Sequence, residues 1–210
     1  MSWSSIVFST RSALLLLAVF AVSGGRSCYG DEDSASVLSS PYFSDPGSIE
    51  RPRSKVDTRT NTDKLSVPQL EQRMFESINQ DRVKCGVSAL KRSALLGKLA
   101  RELADDMLAN KFFAHKNSHG LNTPERAKLL GITCGVYENI ASQSGPDSAL
   151  QMVEEIEKGF MAEPSGRANH RYVLLHPNSS CAGVGIAKSK NEVIVVQEFT
   201  DDDPSPTGQP

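Results

Sequence analysis

The chain has no excess of charge: 23 Lys and Arg stand against 25 Asp and Glu, a formal net charge of −2. A protein that neutralises phosphates needs a basic patch or stripe, so nothing here points to nucleic acid or an anionic membrane surface. The stretch Asp201-Asp202-Asp203 reads as a solvated tail. Aromatic residues make up only 6%, and no stacking array appears among them. Familiar hydrolase strings are missing as well: there is no His-Glu-x-x-His, no Gly-x-Ser-x-Gly and no phosphate-cradling glycine loop. No internal repeat is visible. Hydrophobic residues reach 39%, low for a fully globular chain yet too many for disorder throughout.

Long apolar runs are scarce. The one that exists, Ala13 to Val22, is about half of the ~20 residues that span a bilayer, and Gly24-Gly25-Arg26 breaks it. With Arg11 before it and Ser23, Gly24 and Gly25 after it, the run reads as a secretory signal rather than a membrane anchor. Ala21-Val22-Ser23 offers small residues for cleavage after Ser23, with Gly25 and Gly30 as alternatives. A lipoprotein anchor at Cys28 fits poorly, because Gly25-Arg26-Ser27 lacks the expected Leu. The expected organisation is a signal peptide over residues 1–23, a disordered linker over 24–64, one folded domain over 65–200 and a disordered tail over 201–210. The linker is rich in Ser, Asp, Pro, Arg and Thr, which bury too little apolar surface to offset ordering entropy. Export places the protein outside the cytoplasm, either secreted or in the periplasm and cell envelope, with no transmembrane span once the signal is removed.

Cysteine is sparse too: Cys28, Cys85, Cys134 and Cys181. An oxidising compartment permits disulfides. Three cysteines lie in the folded part, so one internal disulfide with one free thiol is the simplest account. All three reduced and buried is the alternative. Spacing does not decide the connectivity.

Within the domain, Leu70, Met74, Phe75 and Ile78 recur at helical spacing, with Glu71, Arg73, Glu76 and Gln80 between them. This predicts a helix capped by Ser66, with Pro68 in its first turn, ending at Cys85-Gly86. A second helix follows Ser93, with Leu95, Leu96, Leu99, Leu103, Met107 and Leu108 as its apolar stripe. A third starts at Thr123-Pro124-Glu125, Thr123 being the expected N-cap, and ends at Gly131. A fourth runs from about Pro146 to Met161, and a shorter fifth from Pro164 to Leu175. The period then changes. Cys181 to Ala187 and Glu192 to Phe199 read as a hairpin joined at Lys188 to Asn191. A hairpin alone is marginal, and Ile132 to Ile140 is the candidate third strand. The expected fold class is α/β: an α-β-α sandwich with a small, largely antiparallel sheet flanked by helices.

Four residues are candidates for chemistry. His115 follows Phe112-Phe113-Ala114 where the second helix gives way to a loop. Glu138 lies among apolar neighbours in Tyr137-Glu138-Asn139-Ile140. Glu163 stands between the fourth and fifth helices, and His170 lies in Asn169-His170-Arg171. Imidazole nitrogen and carboxylate oxygen suit zinc or another divalent cation. They equally suit a metal-free network in which each His donates to a carboxylate. Each has a plain structural alternative: a packed loop histidine, a surface strand acid, a first-turn acid beside Pro164, or a core histidine. His119 and His176 read as incidental.

These residues carry a resemblance. Phe112-Phe113-Ala114-His115, Ser118-His119-Gly120, Thr123-Pro124-Glu125-Arg126, Gly131 and Glu138-Asn139-Ile140-Ala141, in that order, resemble the CAP superfamily of cysteine-rich secretory, antigen 5 and pathogenesis-related proteins. Phe160-Met161-Ala162-Glu163 and Asn169-His170-Arg171 resemble its aromatic, acid and His-Arg segment. Gly183 to Ala187 and Val196-Gln197-Glu198-Phe199 resemble its closing strands. The resemblance covers residues 68–199 and, given the brevity and cysteine pattern, is to the bacterial SCP-like branch. It implies a cleft lined by two His and two acids, with His115, Glu138 and His170 carried over by motif. Glu163 has Glu154, Glu155 and Glu157 as rivals. Phe160 stands where relatives usually have Trp, and Tyr137 where they usually have Gly. The resemblance implies a secreted domain that binds a metal ion or a small apolar or lipid ligand. A zinc-dependent, peptidase-like hydrolase and an extracellular interaction module without a working cleft are the other readings. Cys134 as a nucleophile with His115 is weaker than Cys134 as a disulfide partner or core residue.

Overall fold

The computed structural model describes residues 65–166 and 169–204, together with the backbone of residues 6–9. The expected signal, linker and final tail lie mostly outside the described residues.

A short strand β1 (Ile6–Ser9) is followed by helix α1 (Val67–Lys84), strand β2 (Lys91–Arg92), helix α2 (Ala94–Asn110) and helix α3 (Thr123–Leu129). Strand β3 (Tyr137–Ser144), helices α4 (Ala149–Ala162) and α5 (His170–Leu174), and strands β4 (Cys181–Lys188) and β5 (Glu192–Thr200) complete the chain. The sheet order is β1-β3-β5-β4-β2. The three long strands are antiparallel, with β5 in the centre. The two short strands run parallel to their neighbours.

Period-2 alternation on β5 builds both layers of core. Val193, Val195 and Phe199 face α1, α4 and α5 in one apolar cluster. Ile194 and Val196 face α2 in another. The α-β-α sandwich is therefore the observed fold. Strand β4 sits almost against α2. A Cβ on Gly183 would lie 2.1 Å from the Gly97 nitrogen, and one on Gly185 2.2 Å from the Arg101 nitrogen. Only glycine admits that approach. Among the described residues no helix is long and apolar enough to cross a membrane.

Several expectations need correction. The N-cap of α3 is Asn122, whose side chain accepts from the Glu125 nitrogen at 3.0 Å. Thr123 is freed to point its hydroxyl inward. Helix α4 starts after Ser148, which supplies the cap and capping box. The third strand is displaced. Residues 132–136 form no strand, and pairing begins at Tyr137, opposite Phe199. The fifth helix is one short turn, because Glu163 and Asn169 adopt extended backbone. Glu71, expected between apolar positions, is fully buried, where Arg101 and the Ile186 nitrogen bind its carboxylate. Asp201 is not a free tail residue, since Ser179 Oγ donates to it at 3.2 Å.

Candidate functional site

His115 sits in the loop that leaves α2. That loop is pinned rather than loose: the Ser118 nitrogen donates to Asp106 on α2 at 2.7 Å, and Asn117 closes a turn onto Leu121. Phe112 and Phe113 pack on the α2 side of the core. The imidazole Nδ1 lies 2.7 Å from Glu138 Oε1.

Glu138, the second residue of β3, is held from three sides. Thr123 Oγ1 donates to Oε1 at 3.0 Å, Arg126 Nη2 donates to Oε2, and His115 completes the set. Its cross-strand partner is another buried acid, Glu198. Burial pushes the Glu138 carboxyl up. The His115 hydrogen bond and the Arg126 charge outweigh that and hold it below the usual range. Glu198 goes the other way. Burial first, then the charge of Glu138, raise it well above the usual range against the pull of Arg126, which lies 3.6 Å away. One arginine thus serves two buried acids that are pushed in opposite directions.

The other pair forms at the end of α4. Glu163 is the helix C-cap, and its Oε1 lies 2.7 Å from His170 Nδ1. The Arg171 nitrogen donates to Oε2 at 3.3 Å, and Arg171 Nη1 donates to the Glu163 carbonyl at 3.1 Å. His170, the first residue of α5, stacks on Phe160 with centroids 4.4 Å apart and planes at 12°. Phenylalanine therefore provides the aromatic wall. Asn139 Nδ2 donates to the His170 carbonyl at 3.2 Å. Glu163, not its rivals, is the acid of this pair. Glu154 and Glu155 are exposed, and Glu157 is buried against Gln197.

The structure thus joins the four sequence candidates as two His–Glu pairs, His115 with Glu138 and His170 with Glu163. Successive β3 residues face opposite sides, so Glu138 serves the α2–α3 layer and Asn139 the α4–α5 layer. Residues Tyr137 to Ile140 lie beyond the part of β3 that pairs with β1, and Glu138, Asn139 and Ile140 are buried there. Both His115 Nε2 and His170 Nε2 are buried and have no hydrogen-bond partner. With each Nδ1–H donating to a glutamate, each Nε2 presents a lone pair. That is the ligand form of histidine, oriented by a carboxylate behind it. Among the described residues no three His, Cys, Asp or Glu side chains form a metal-holding group. The carboxylates are engaged behind the rings.

Sequence reasoning missed Arg126 and Glu198. Arg126 lay in a quoted motif, but only the strand register that sets Glu198 opposite Glu138 gives it a role. His176, read as incidental, packs 5.3 Å from the Tyr137 ring and 5.5 Å from that of Tyr172. A separate pocket of about 660 Å³ lies between the end of α2 and the β3–β5 face, lined by Met107, Leu108, Phe112, Phe113 and Ile194, with Lys111 and Glu192 among its polar residues.

The sandwich and its dyads define the class, and comparison with known proteins agrees. A model of the cysteine-rich secretory protein family, CAP, matches residues 75–199. The protein YkwD of Bacillus subtilis (strain 168) is 32% identical over 149 residues, which is 69% of this chain and 52% of YkwD. The chain spans about half the length of that curated relative. An outer surface protein from Borrelia burgdorferi has a TM-score of 0.54 at 20% identity, covering 65% of this chain and 96% of its own. An extracellular SCP-domain protein from Bacillus anthracis has a TM-score of 0.49 at 18% identity, covering 65% and 44%. The chain belongs to the CAP family.

Proposed function

We propose that this chain is an exported CAP domain that binds a divalent cation, zinc first, on His115 and His170, with Glu138 and Glu163 orienting the rings. One observation carries the reading: two imidazoles whose Nδ1 atoms are taken by carboxylates and whose buried Nε2 atoms have no partner. An orphaned buried nitrogen costs free energy unless something fills its lone pair. A water can satisfy one such lone pair, whereas a cation held by both nitrogens would satisfy the two together. Export rests on Arg11, the short apolar run and the small residues after it.

Binding is favoured over hydrolysis for a physical reason. Zinc supplies Lewis acidity and an activated water when it works as a catalyst. The carboxylate that would take the proton must then be available. Glu138 already accepts from His115, Thr123 and Arg126, and Glu163 from His170 and the Arg171 backbone. Neither has the freedom of a general base.

The second reading is a small apolar ligand, favoured by the pocket against Phe112 and Phe113. Its volume is in the range of sites for small molecules.

Zinc titration by calorimetry on the purified chain tests the first reading. Binding heat in the wild type and none in the H115A/H170A double variant is the expected result. Equal heats in both proteins overturn it.

A further inference from the structure

Cys134 and Cys181 are 47 positions apart in sequence but meet at one corner of the sandwich. Cys181 opens β4, and its cross-strand partner is Thr200, the last residue of β5. Facing residues of an antiparallel pair project on the same side, with Cβ atoms about 4.5–5.5 Å apart. Thr200 Oγ1 in turn lies 3.2 Å from Cys134 Sγ. Both cysteines belong to the same apolar cluster under α2 and α3, with Leu96, Leu99, Ala127 and Ile132. Both cysteines therefore neighbour Thr200 on the sheet face that packs under α2 and α3. Cys85 caps the end of α1 and is not in that cluster. Both Cys134 and Cys181 are thiols in this structure.

We infer that Cys134 and Cys181 are a disulfide pair that closes when the protein meets an oxidising thiol–disulfide environment. The in-cell event rests on export as read above. The chemistry does not, because the geometry is the same wherever an oxidant is supplied. With glutathione disulfide as oxidant, Cys134, the more exposed of the two, loses its proton and its thiolate attacks one glutathione sulfur. One glutathione thiolate leaves. Cys181 thiolate then attacks the Cys134 sulfur of the mixed disulfide and expels the second. Two protein thiols are oxidised, one glutathione disulfide is reduced to two thiols, and the thiol protons end on the departing glutathione.

The bond has a consequence for the site. Cys134 lies in the connection from α3 to β3, three residues before Tyr137, where β3 begins. A bridge to β4 ties down the segment that delivers Glu138 to His115 and Arg126. It replaces the Thr200–Cys134 hydrogen bond with a covalent link across the closing end of the sheet.

The full-length chain, incubated with glutathione disulfide, alkylated and digested without reductant, tests the pairing by mass spectrometry. A linked peptide joining Cys134 to Cys181 is expected. Dithiothreitol is then expected to lower the melting temperature of the oxidised wild type by roughly 5–15 °C, the range for a structural disulfide in a domain of this size. The C134A and C181A variants, oxidised in the same way, are expected to show no such reductant-dependent drop. Alkylation of both Cys134 and Cys181 after oxidation overturns the inference, as does either one linked to Cys85 or Cys28. The peptide map is read on the wild type, so it stands even where a variant folds poorly. It is also independent of zinc and of where the protein resides.

Discussion

The Glu157 carboxyl offers a quantitative test of the core beneath the site. It is buried on α4, where Gln197 Nε2 donates to its Oε2 at 3.0 Å and its Oε1 has no partner. Burial drives its pKa from 4.5 to about 8, the Gln197 hydrogen bond opposing and the charge of Asp81 adding to the rise. The folded protein therefore keeps a proton that the unfolded chain releases. Between pH 4.5 and about 8 the native state binds more protons than the unfolded state, so stability falls as pH rises. The slope from this one group is at most about 1.4 kcal/mol per pH unit, or roughly 4 kcal/mol between pH 5 and pH 8. Glu157→Gln keeps the shape and removes the titration. The amide introduces a buried donor without a partner, so the variant should be level with the wild type or about 1 kcal/mol below it at pH 5. By pH 8 it should be the more stable protein. Urea unfolding of both proteins at several pH values across that window gives the difference directly. Glu198 titrates in the same direction, but it is common to both proteins and cancels. Parallel stability curves for wild type and variant would refute the assignment of a buried, neutral Glu157.

Other substitutions probe the site and its scaffold. Arg126→Ala leaves Glu138 and Glu198 facing each other without their shared cation. It should cost about 3–5 kcal/mol in thermal or urea unfolding, the range for breaking a buried ion pair; a loss below about 1 kcal/mol contradicts the shared-cation geometry. Gly185→Ala puts a methyl group 2.2 Å from the Arg101 nitrogen of α2. The helix must move off β4, and a loss above about 3 kcal/mol or failure to fold by circular dichroism is expected; wild-type melting shows that the contact is not tight. Lys111, at φ 55°, is the C-cap of α2 in left-handed backbone. Lys111→Gly should raise the melting temperature by about 2–5 °C by removing that strain, and an unchanged or lower value argues against it.

Local physics was legible in the sequence wherever one segment settled its own conformation. Ser66, Ser93 and the apolar positions behind them set α1 and α2, because a cap and a 3.6-residue period need no distant partner. The hairpin of β4 and β5 was readable for the same reason. The motif order across residues 68–199 carried the family, and with it His115, Glu138, Glu163 and His170. The failures share a cause. The beginning of β3 depends on where β5 offers a partner, so Ile132 to Val136 read as strand and are not. Helix α5 shrank because Glu163 turns back to serve His170.

What only the tertiary structure decided is which groups share a proton, a charge or a ring. That His115 pairs with Glu138 follows from the loop after α2 meeting the start of β3, and that His170 pairs with Glu163 follows from the turn between α4 and α5 folding back on itself. That Arg126 stands between two acids follows from the register that sets Glu138 opposite Glu198. That Glu157 is a neutral core acid rather than a rival for the site follows from its desolvation. Composition and periodicity report each residue's own preference for water or burial. A pKa and an orphaned imidazole nitrogen are properties of the surroundings, which exist only once the layers have packed.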